Sequence, residues 1–521
     1  MHAVKSSLER RSSDVCIYSN RTTLTSSVHS ETIDKPVLKG EKYYLGMWLG
    51  DYDQKNSRVD IYGITAIGSE VQLVNQAVIN RNVVIININN DYSGLRIASD
   101  SLSQGFVQTY LWTDYDGVEI RVAASNASRA EKSHAHIVCD GINDEDDLQC
   151  AAELAGWVGK IHLSKGTFYV DSFKKRSNSD TIYGAIVKPS FVDFPCDLSI
   201  SGEGKLYVNN FTAGTSIVVR DGAYNGLSED IEPCIIGTPI EKNTSKLFIN
   251  NIAFVLENNN HKICMINGQC LGALKIDSCS FKGGANAWSD TPPFEGSIGV
   301  RGIMGDCNGS EYVLTNSYAI SLYEGFQLGG EHLFAYELGT RFCFYGYTFG
   351  NYDYGSWYGD NPVTLSHPLT LINCCDEGSR RLPLFAKCGV HNLQNQKAKQ
   401  QVDLINFNLE VHAGALGAVE STPNSFCGNI DFTAYGSSNS SINTTQGLRY
   451  NRVDIKFWEE GSGRAFRTRN MAHELMGDTA TREGYYPTFM QKYFDTDLNK
   501  EIICVDEHQR IWKDAMGNVV E

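Results

Sequence analysis

Five carboxylates in the central part of the chain are the first candidates for chemistry, and they lie on glycine-containing stretches at Glu324, Glu331, Glu337, Asp353 and Asp360. Cleavage of a glycosidic bond uses one carboxyl group as general acid and a second as base or nucleophile. If successive turns of the chain stack about 4.8 Å apart, carboxylates one turn apart approach the ~5 Å of a retaining glycosidase, and those two turns apart the wider gap of an inverting one. Any two of the five could form the pair. The alternative for each is that it only interacts with solvent, as most isolated surface carboxylates do.

The densest aromatic stretch covers residues 342–358, FCFYGYTFGNYDYGSWY. Aromatic rings pack on the C–H faces of sugars, while carboxylates bind the hydroxyl groups. The stretch predicts a glycan-binding surface whose residues are Tyr352, Tyr354, Trp357 and Tyr358, with Asp353 and Asp360. A secondary candidate is Trp288 with Asp290 in the loop ANAWSDTPP. An equally open alternative is that these rings stack inside or between turns of the fold, or against a neighbouring subunit.

Other kinds of reactive site have no sequence signature here. The chain has no nucleotide-binding loop, no HExxH or GxSxG motif and no Ser/His/Asp spacing, and its histidines are too scattered to indicate a metal set. We therefore expect no metal and no cofactor. The 15 cysteines form no CxxC pair with zinc spacing, and most lie in apolar runs, so we expect buried thiols in a protein made in a reducing cytoplasm.

The charge balance limits the choice of partners. The chain of 521 residues has 45 Lys and Arg against 61 Asp and Glu, a net charge of −16. An acidic protein repels nucleic acid phosphates and anionic membranes, so neither is expected as a partner. No run of 18 apolar residues and no signal-peptide core after the first charges is present, and we expect no membrane insertion.

An irregular repeat runs through the middle of the chain. It reads apolar, any, apolar, any, Asn or Ser, any, any, Phe or Leu, and it is complete at Leu247, Leu274 and Val402. Partial copies begin at Leu198, Tyr312 and Leu369, and the widest spacing, from Tyr312 to Leu369, can hide a further copy. Such a repeat is typical of a solenoid with variable loops, and in a parallel β-helix the asparagines at the bends can form hydrogen-bonded ladders. A large β-sandwich is the alternative.

Other segments complete the predicted organisation. Short alternating strands from Tyr43 to about Val122 indicate a β-sandwich, within a module at residues 39–130, and residues 1–38 are polar and aperiodic, as in a linker or adaptor. A helix is predicted at about 145–156, capped by Asn143 or Asp144 and buried through Leu148, Ala151, Ala152 and Ala155. The β-helix is predicted over residues 137–460 and a separate module over 461–521.

The segment from Asp140 to Val170 carries a recognisable motif, DGxNDxxxLQxA followed by GKIxLxxGTFxV. It resembles the first segment of the pectate-lyase-like right-handed parallel β-helix superfamily, which includes polysaccharide lyases, glycoside hydrolases and phage tail spikes. The resemblance implies an all-β fold, with a short helix covering the end of the β-helix.

Residues 487–517 resemble the small terminal module of phage tail-fibre and tail-spike proteins, where PTxGxxYFDTxLxKPIxWxGxxWxDAxG is a recurring form. The shared residues include Tyr493, Phe494 and Asp495, whereas Met490 replaces the usual Gly, Glu501 the usual Pro and Cys504 an aromatic residue. The resemblance implies a small β-hairpin module.

Together the resemblances imply a phage tail spike or fibre: a homotrimer in the virion that attaches through its N-terminal region to other tail proteins and recognises a bacterial surface polysaccharide. Depolymerisation of that polysaccharide is optional for this function. One alternative is a stand-alone polysaccharide lyase or glycoside hydrolase, which would be secreted. Another is a structural virion protein that binds no glycan. The motifs of polygalacturonases and the calcium site of pectate lyases are not found in the sequence.

Overall fold

A computed structural model describes residues 14–24, 29–49, 57–79, 82–100, 102, 105–156, 158–175, 183–187, 197–203, 214–237, 246–258, 261–268, 272–284, 296–303, 311–329, 332–349, 369–379, 382–386, 400–411, 419–421, 426–427, 429–437, 449–458, 466–470, 475–483, 492–506 and 509–520. The chain forms two compact units, Met1–Asn267 with Leu271–Ser280, and Gly268–Cys270 with Phe281–Glu521.

The first unit begins with a β-sandwich. Its described strands are β1 (Cys16–Leu24), β2 (His29–Ile33), β3 (Lys42–Leu49), β4 (Arg58–Ile64), β5 (Glu70–Val78), β6 (Val83–Asn87), β7 (Gly94–Ser99) and β8 (Gly105–Trp112). One antiparallel sheet has the order β1-β8-β3-β6 and the other β2-β7-β4-β5. Alternate residues from both sheets, such as Leu45, Ile61 and Leu111, fill one buried core.

The strands β1 and β2 correct the expectation that residues 1–38 are a linker. Only one of the nine residues of β1 is buried, so the strand lacks the apolar alternation that would have revealed it. In β2 the core-facing residues are His29, Glu31 and Ile33, of which two are polar. Glu31 is accommodated because it accepts hydrogen bonds from the Tyr18 and Thr109 hydroxyls (2.5 and 2.8 Å). From sequence alone, a glutamate is expected at the surface, because the hydrogen-bond donors that satisfy it when it is buried come from distant parts of the chain.

The segment after the sandwich also differs from the prediction. Residues 119–123 form β9 (Glu119–Ala123), which pairs in parallel with β10 (Ile137–Val138) and β11 (Val158–Leu163) rather than within the sandwich. Helix α1 (Arg129–His134), which the sequence analysis did not predict, lies between them and begins with a capping box of Ser128 and Glu131.

The predicted covering helix is α2 (Asp144–Leu154). Its four predicted core residues, Leu148, Ala151, Ala152 and Ala155, are all buried. Asn143 is the N-cap residue, one of the two predicted, but it adopts a left-handed backbone (φ 53°) and its side chain makes no capping hydrogen bond. The Asp144 carboxylate instead accepts the N–H groups of Gly141 and Tyr169. The start of the helix is thus fixed both by the turn that precedes it and by the contact with Tyr169, in the strand Gly166–Val170.

The rest of the first unit consists of parallel coils. The described strands are β12 (Gly166–Val170), β13 (Lys174–Lys175), β14 (Tyr183–Val187), β15 (Asp197–Ser201), β16 (Thr215–Val219), β17 (Cys234–Gly237), β18 (Lys246–Asn250), β19 (Ile252–Leu256), β20 (Ile263–Asn267) and β21 (Ala273–Asp277), with a 3₁₀ turn at Asp221–Tyr224. Parallel pairing joins β11-β15-β18-β21, β12-β16-β19 and β14-β17-β20.

The second unit also contains parallel coils. Its described strands are β22 (Ser280–Lys282), β23 (Ser297–Ile303), β24 (Glu311–Thr315), β25 (Tyr318–Ile320), β26 (Glu324–Gly329), β27 (His332–Tyr336), β28 (Gly339–Arg341), β29 (Tyr345–Phe349), β30 (Leu369–Ile372), β31 (Cys375–Glu377), β32 (Leu382–Ala386), β33 (Gln400–Val411), β34 (Val419–Ser421), β35 (Phe426–Cys427), β36 (Asn429–Ser437), β37 (Arg449–Trp458) and β38 (Phe466–Asn470). Parallel pairing joins β24-β27-β30-β33-β36-β37, β25-β28-β31 and β23-β26-β29-β32-β34.

These pairings confirm the predicted parallel β-helix and its repeat. Repeat positions pair in register, for example Ile200 with Ile249 and Ile249 with Ile276. The widest spacing of the repeat contains the expected hidden coil, β27, which pairs with β24 on one side and β30 on the other. The predicted bends are left-handed at Asn251, Ser278, Asn316, Glu337, Asn373 and Asn406 (φ 49–57°). One step of the predicted asparagine ladder is present, since Asn406 Nδ2 donates to Asn373 Oδ1 at 2.9 Å.

The C-terminal module is a small sheet of β39 (Leu475–Gly477), β40 (Lys492–Asp495), β41 (Lys500–Asp506), β42 (Ile511–Asp514) and β43 (Val519–Val520), with the short helix α3 (Thr479–Glu483). β40 and β41 form an antiparallel hairpin. The buried Asp495 accepts hydrogen bonds from the Thr479 hydroxyl and from the N–H groups of Asp497 and Leu498. This explains why an aspartate ends the first strand of the hairpin. No described helix has the length and apolar character needed to cross a membrane.

Candidate functional site on the outer face of the coils

Three neighbouring strands of the second unit share a Gly-apolar-polar triplet. The triplets are Gly299-Val300-Arg301 in β23, Gly325-Phe326-Gln327 in β26 and Gly346-Tyr347-Thr348 in β29, and their apolar and polar members pair in register. The apolar members are fully buried, and the Phe326 and Tyr347 rings stack at 5.6 Å. Because successive side chains of a strand point to opposite faces, the polar members point away from the apolar ones, although Gln327 and Thr348 are themselves buried.

The glycines of the triplet are needed for this close stacking of coils. A Cβ atom on Gly299 would lie 2.6 Å from the carbonyl oxygen of Gly325, and one on Gly325 would lie 2.6 Å from that of Gly346. A side chain at either position would therefore push the coils apart. The glycines allow the polar residues of successive coils to form one continuous row.

The predicted carboxylate Glu324 belongs to this row. Its Oε2 atom accepts a hydrogen bond of 2.5 Å from the Thr348 hydroxyl, and both residues are buried, Glu324 at 3% exposure and Thr348 at 0%. Beside it the Arg301 Nε atom donates to Gln327 Oε1 at 2.6 Å. The row thus combines a carboxylate, a hydroxyl, an amide and a guanidinium group, which can exchange a proton and bind sugar hydroxyls or an anionic sugar.

A cluster of three aromatic rings lies at the start of the same strands. The Tyr323 and Phe344 rings stack at 4.8 Å, and the Tyr345 ring meets both edge-on, at 5.5 and 4.9 Å. All three residues are half-buried, so part of each remains open to contact. Phe344 and Tyr345 come from the predicted aromatic stretch, whereas Phe342 and Tyr347 of the same stretch are buried, as in the alternative reading of rings stacked within coils.

Glu337, another predicted carboxylate, lies elsewhere. It is exposed and occupies the left-handed bend between β27 and β28, the position that Asn316 and Asn373 occupy in adjacent coils. Its N–H group donates to the carbonyl of Ile372 at 3.0 Å. The structure therefore places Glu337 at a bend and Glu324 on a strand, and it does not bring these two together as a pair.

The other predicted site residues lie outside the described residues: Glu331, Asp353, Asp360, Tyr352, Tyr354, Trp357, Tyr358 and Trp288, together with Asp290. Their roles stay predictions. The sequence analysis also missed Arg301, Gln327 and Thr348. The Gly-apolar-polar triplet, repeated in three coils, is the signal that could have found them.

The acidic start of α2 has a different character. The Asp147 carboxylate accepts hydrogen bonds from the Tyr110 hydroxyl (2.8 Å) and from Gln108 Nε2 (3.0 Å). Burial, reinforced by the charges of Asp144 and Asp140, raises the pKa of Asp147 to about 7, although the bond from Tyr110 opposes the shift. These contacts link the sandwich strand β8 to the covering helix.

Three side chains near the start of α2 are of types that can bind a metal ion. The Cys139 sulfur and carboxylate oxygens of Asp144 and Asp147 lie within 4.8 Å of one another. Both oxygens of Asp144 accept backbone N–H groups, from Gly141 and Tyr169, and burial raises the pKa of the Cys139 thiol well above its usual value. Because these groups already have protein partners, we assign them to the packing of α2.

Comparisons with known proteins give little further information. No family model matches the chain, and no curated protein matches it. Among solved structures, the catalytic domain of a GH87 alpha-1,3-glucanase in complex with nigerose is 11% identical, covering 84% of this chain and 88% of that one, with a TM-score of 0.26. A variant of such a domain, also with nigerose, is 10% identical over 82% and 92% of the two chains, with a TM-score of 0.18. Similarity at this level carries no argument, so the assignment of the fold rests on the strand pairing described above.

Proposed function

We propose that the protein binds a bacterial surface polysaccharide and cleaves glycosidic bonds in the interior of that polymer. The observation that carries the proposal is the set of polar groups on three stacked coils, in which the Glu324 carboxylate accepts from Thr348 and Arg301 donates to Gln327. A linear polymer that binds along such a face can meet equivalent side chains from successive coils, about 4.8 Å apart.

Glu324 supplies one of the two carboxyl groups that glycosidic cleavage uses. The Thr348 hydroxyl fixes its orientation, and the low exposure of Glu324 withdraws the carboxylate from bulk water. The second carboxyl group is proposed among Glu331, Asp353 and Asp360. One group protonates the leaving oxygen while the other activates water or forms the glycosyl intermediate. Arg301 would bind the carboxylate of an acidic sugar.

The aromatic cluster of Tyr323, Phe344 and Tyr345 supports the same proposal from the binding side. Part-exposed rings at the start of β26 and β29 offer C–H contacts to a sugar next to the polar row. Tyr352, Tyr354, Trp357, Tyr358 and Trp288 are proposed to extend this glycan surface.

The biological setting is proposed from the resemblances to tail-spike and tail-fibre proteins. In this proposal the protein is a homotrimer in a phage virion, is made in the host cytoplasm, and is attached to other tail proteins by its N-terminal region. A stand-alone secreted lyase or hydrolase is the second candidate, favoured by the same outer-face row because its chemistry does not need a virion. The two differ in whether the protein is found in purified phage particles.

The test is turnover by paired variants. Purified protein is incubated with capsule and cell-wall polysaccharides from a panel of bacterial strains, and chain length is followed by size-exclusion chromatography. Glu324→Gln keeps the size of the side chain and the bond to Thr348 but cannot transfer the proton, so the cleavage rate should fall by about 10²–10⁴-fold. The matched control is Glu337→Gln at the exposed bend, which should cleave at the original rate. Equal rates for the original protein and Glu324→Gln would contradict the assignment.

A further inference from the structure

A second constellation of reactive side chains lies in the first unit, on strands β11, β15 and β18. The residues that face the interior here are Ile161, Ile200 and Ile249, which are at most 1% exposed and pair in register. The next residue of each strand therefore faces outward, and these outer residues are His162, Ser201 and Asn250. They form one row across three successive coils.

His162 connects a hydroxyl group to a carboxylate. Its Nδ1 atom is 2.9 Å from the Ser201 hydroxyl oxygen, and its Nε2 atom is 3.0 Å from Glu203 Oε1. A carboxylate can only accept, so Nε2 carries the proton and Nδ1 presents its lone pair to the serine hydroxyl. This is the arrangement of a nucleophile, a base and a group that orients the base. The side chains of His162 and Glu203 are 30% and 37% exposed, so a substrate can reach them.

The position of Glu203 is fixed independently of His162. Its N–H group donates to the Thr215 hydroxyl at 2.8 Å, and its carbonyl accepts the N–H of Thr215 at 3.1 Å. Thr215 is fully buried. The backbone that carries the carboxylate is therefore held by the coil interior, and the contact of the carboxylate with Nε2 favours one tautomer of the imidazole.

Asn250 can complete the site. It pairs in register with Ser201 on the next coil, so its side chain lies about 4.8 Å away along the row. Its Oδ1 atom accepts from Asn251 Nδ2 at 3.3 Å, which orients the amide and allows its Nδ2 group to donate. A donor beside the nucleophile can stabilise the oxyanion that forms when a carbonyl is attacked.

From this geometry we infer that Ser201, His162 and Glu203 form an esterase site for short acyl esters, such as the acetyl groups on sugar hydroxyls. The Ser201 oxygen attacks the ester carbonyl and its proton moves to His162 Nδ1. The C–O bond to the sugar then breaks, and the sugar oxygen takes that proton. Water hydrolyses the acyl-serine by the same route, releasing the carboxylic acid. The choice of a sugar ester rests on the proposed function, whereas the acyl transfer rests only on the three side chains.

The sequence spacing hides this site. His162 and Ser201 are neighbours only because β11 and β15 pair between adjacent coils, and strands β12, β13 and β14 lie between them along the chain. The alternative role is a purely structural surface network, and exposed pairs of this kind contribute little to stability. A structural role predicts an effect on stability only, while the esterase site predicts an acyl-enzyme at one serine.

The test uses p-nitrophenyl acetate as the substrate and a fluorophosphonate as the serine-directed probe, both with the full-length protein. Ser201→Ala should lower the rate of p-nitrophenol release by at least about 10³-fold and abolish labelling, and Glu203→Gln should lower the rate by a smaller factor. The matched control is Ser199→Ala, two residues earlier on the same face of β15, which should keep the original rate. Unchanged melting temperatures would show that both serine variants fold.

Three outcomes would overturn the inference: no hydrolysis above buffer by the original protein, full activity in Ser201→Ala, or a probe adduct that mass spectrometry maps to another residue. Failure here is distinguishable from failure of the proposed function. Ester hydrolysis releases acid without shortening a polysaccharide, and glycosidic cleavage shortens it without releasing acid.

Discussion

Strands β11, β15, β18 and β21 of the first unit carry two rows of residues, an inner row that is apolar and an outer row that is polar. The two rows are offset by one residue along each strand. Ile161, Ile200, Ile249 and Ile276 form the inner row, and His162, Ser201, Asn250 and Asp277 the outer row. The inner row is at most 1% exposed, whereas the outer residues are half-buried and make hydrogen bonds. The same backbone positions both rows, so stability and chemistry are separated by the pleat of the strand alone.

This comparison shows that each row is specified by a different kind of information. An inner residue only has to be apolar and to fit its neighbours, which a local pattern reveals. An outer residue acquires a role from the residues above and below it in other coils. Substitutions in the inner row should therefore affect folding, and those in the outer row activity.

The largest expected effect is the loss of folding when a charge enters the inner row. Ile276→Asp places a carboxylate without partners in the interior, at a cost comparable to the roughly 5–15 kcal/mol that stabilises a domain. We expect insoluble protein or loss of the cooperative unfolding transition, measured by circular dichroism. The matched control is Lys275→Asp, which introduces the same side chain one residue earlier at an exposed position. A soluble, folded Ile276→Asp variant would contradict the register.

A buried carboxylate on the covering helix, outside both rows, makes stability depend on pH. Because the pKa of Asp147 is raised to about 7, the folded state keeps a proton that the unfolded chain releases near pH 4. The unfolding free energy should therefore fall as pH rises from about 4 to 7. Burial opposes the ionisation of Glu31, but hydrogen bonds from His29 and Tyr18 prevail and lower its pKa to about 2, so Glu31 contributes no slope between pH 5 and 8.

Asp147→Asn stays neutral at every pH and can still accept the bond from Tyr110. We expect the loss of melting temperature between pH 5 and pH 8 to be smaller in this variant than in the original protein. Glu229→Gln, at an exposed position, is the control and should leave the slope unchanged. A variant whose slope equals that of the original protein would show that Asp147 is ionised throughout.

The smallest expected effect concerns the asparagine ladder at the bends. Asn406→Ala removes the hydrogen bond to Asn373 and places an alanine in a left-handed conformation (φ 53°). We expect a loss of about 1–2 kcal/mol in urea unfolding. Asn406→Gly removes the same bond but tolerates the backbone, so it should lose less. Equal losses in both variants would assign the effect to the hydrogen bond alone.

Much of the fold was predictable because it is written in local patterns. The repeat beginning at Leu247 and Leu274 gave the correct register, and the segment from Asp140 to Val170 indicated both the helix and the strands that follow it. The failures occurred where polar residues take core or structural positions. The buried Glu31 interrupts the apolar alternation of β2, so that strand was not predicted. The strand at residues 119–123 alternates like the sandwich strands before it, and only its pairing with the later strand β11 shows that it belongs to the β-helix.

The sites were less predictable, because proximity between coils depends on loop lengths that the repeat does not fix. Glu324 was among the predicted carboxylates, but its row with Arg301 and Thr348 depends on the pairing of three strands. Similarly, nothing in the spacing of His162 and Ser201 indicates that they are neighbours. Residue type identified candidates for chemistry, and only strand register showed which of them meet.

The most direct test of polysaccharide cleavage on the outer face is a crystal structure of Glu324→Gln with an oligosaccharide from the cleaved polymer. We expect a sugar ring against Tyr323, Phe344 or Tyr345 and a glycosidic oxygen within about 3.2 Å of the introduced amide. An oligosaccharide bound at another surface, with residue 324 out of contact, would contradict the account.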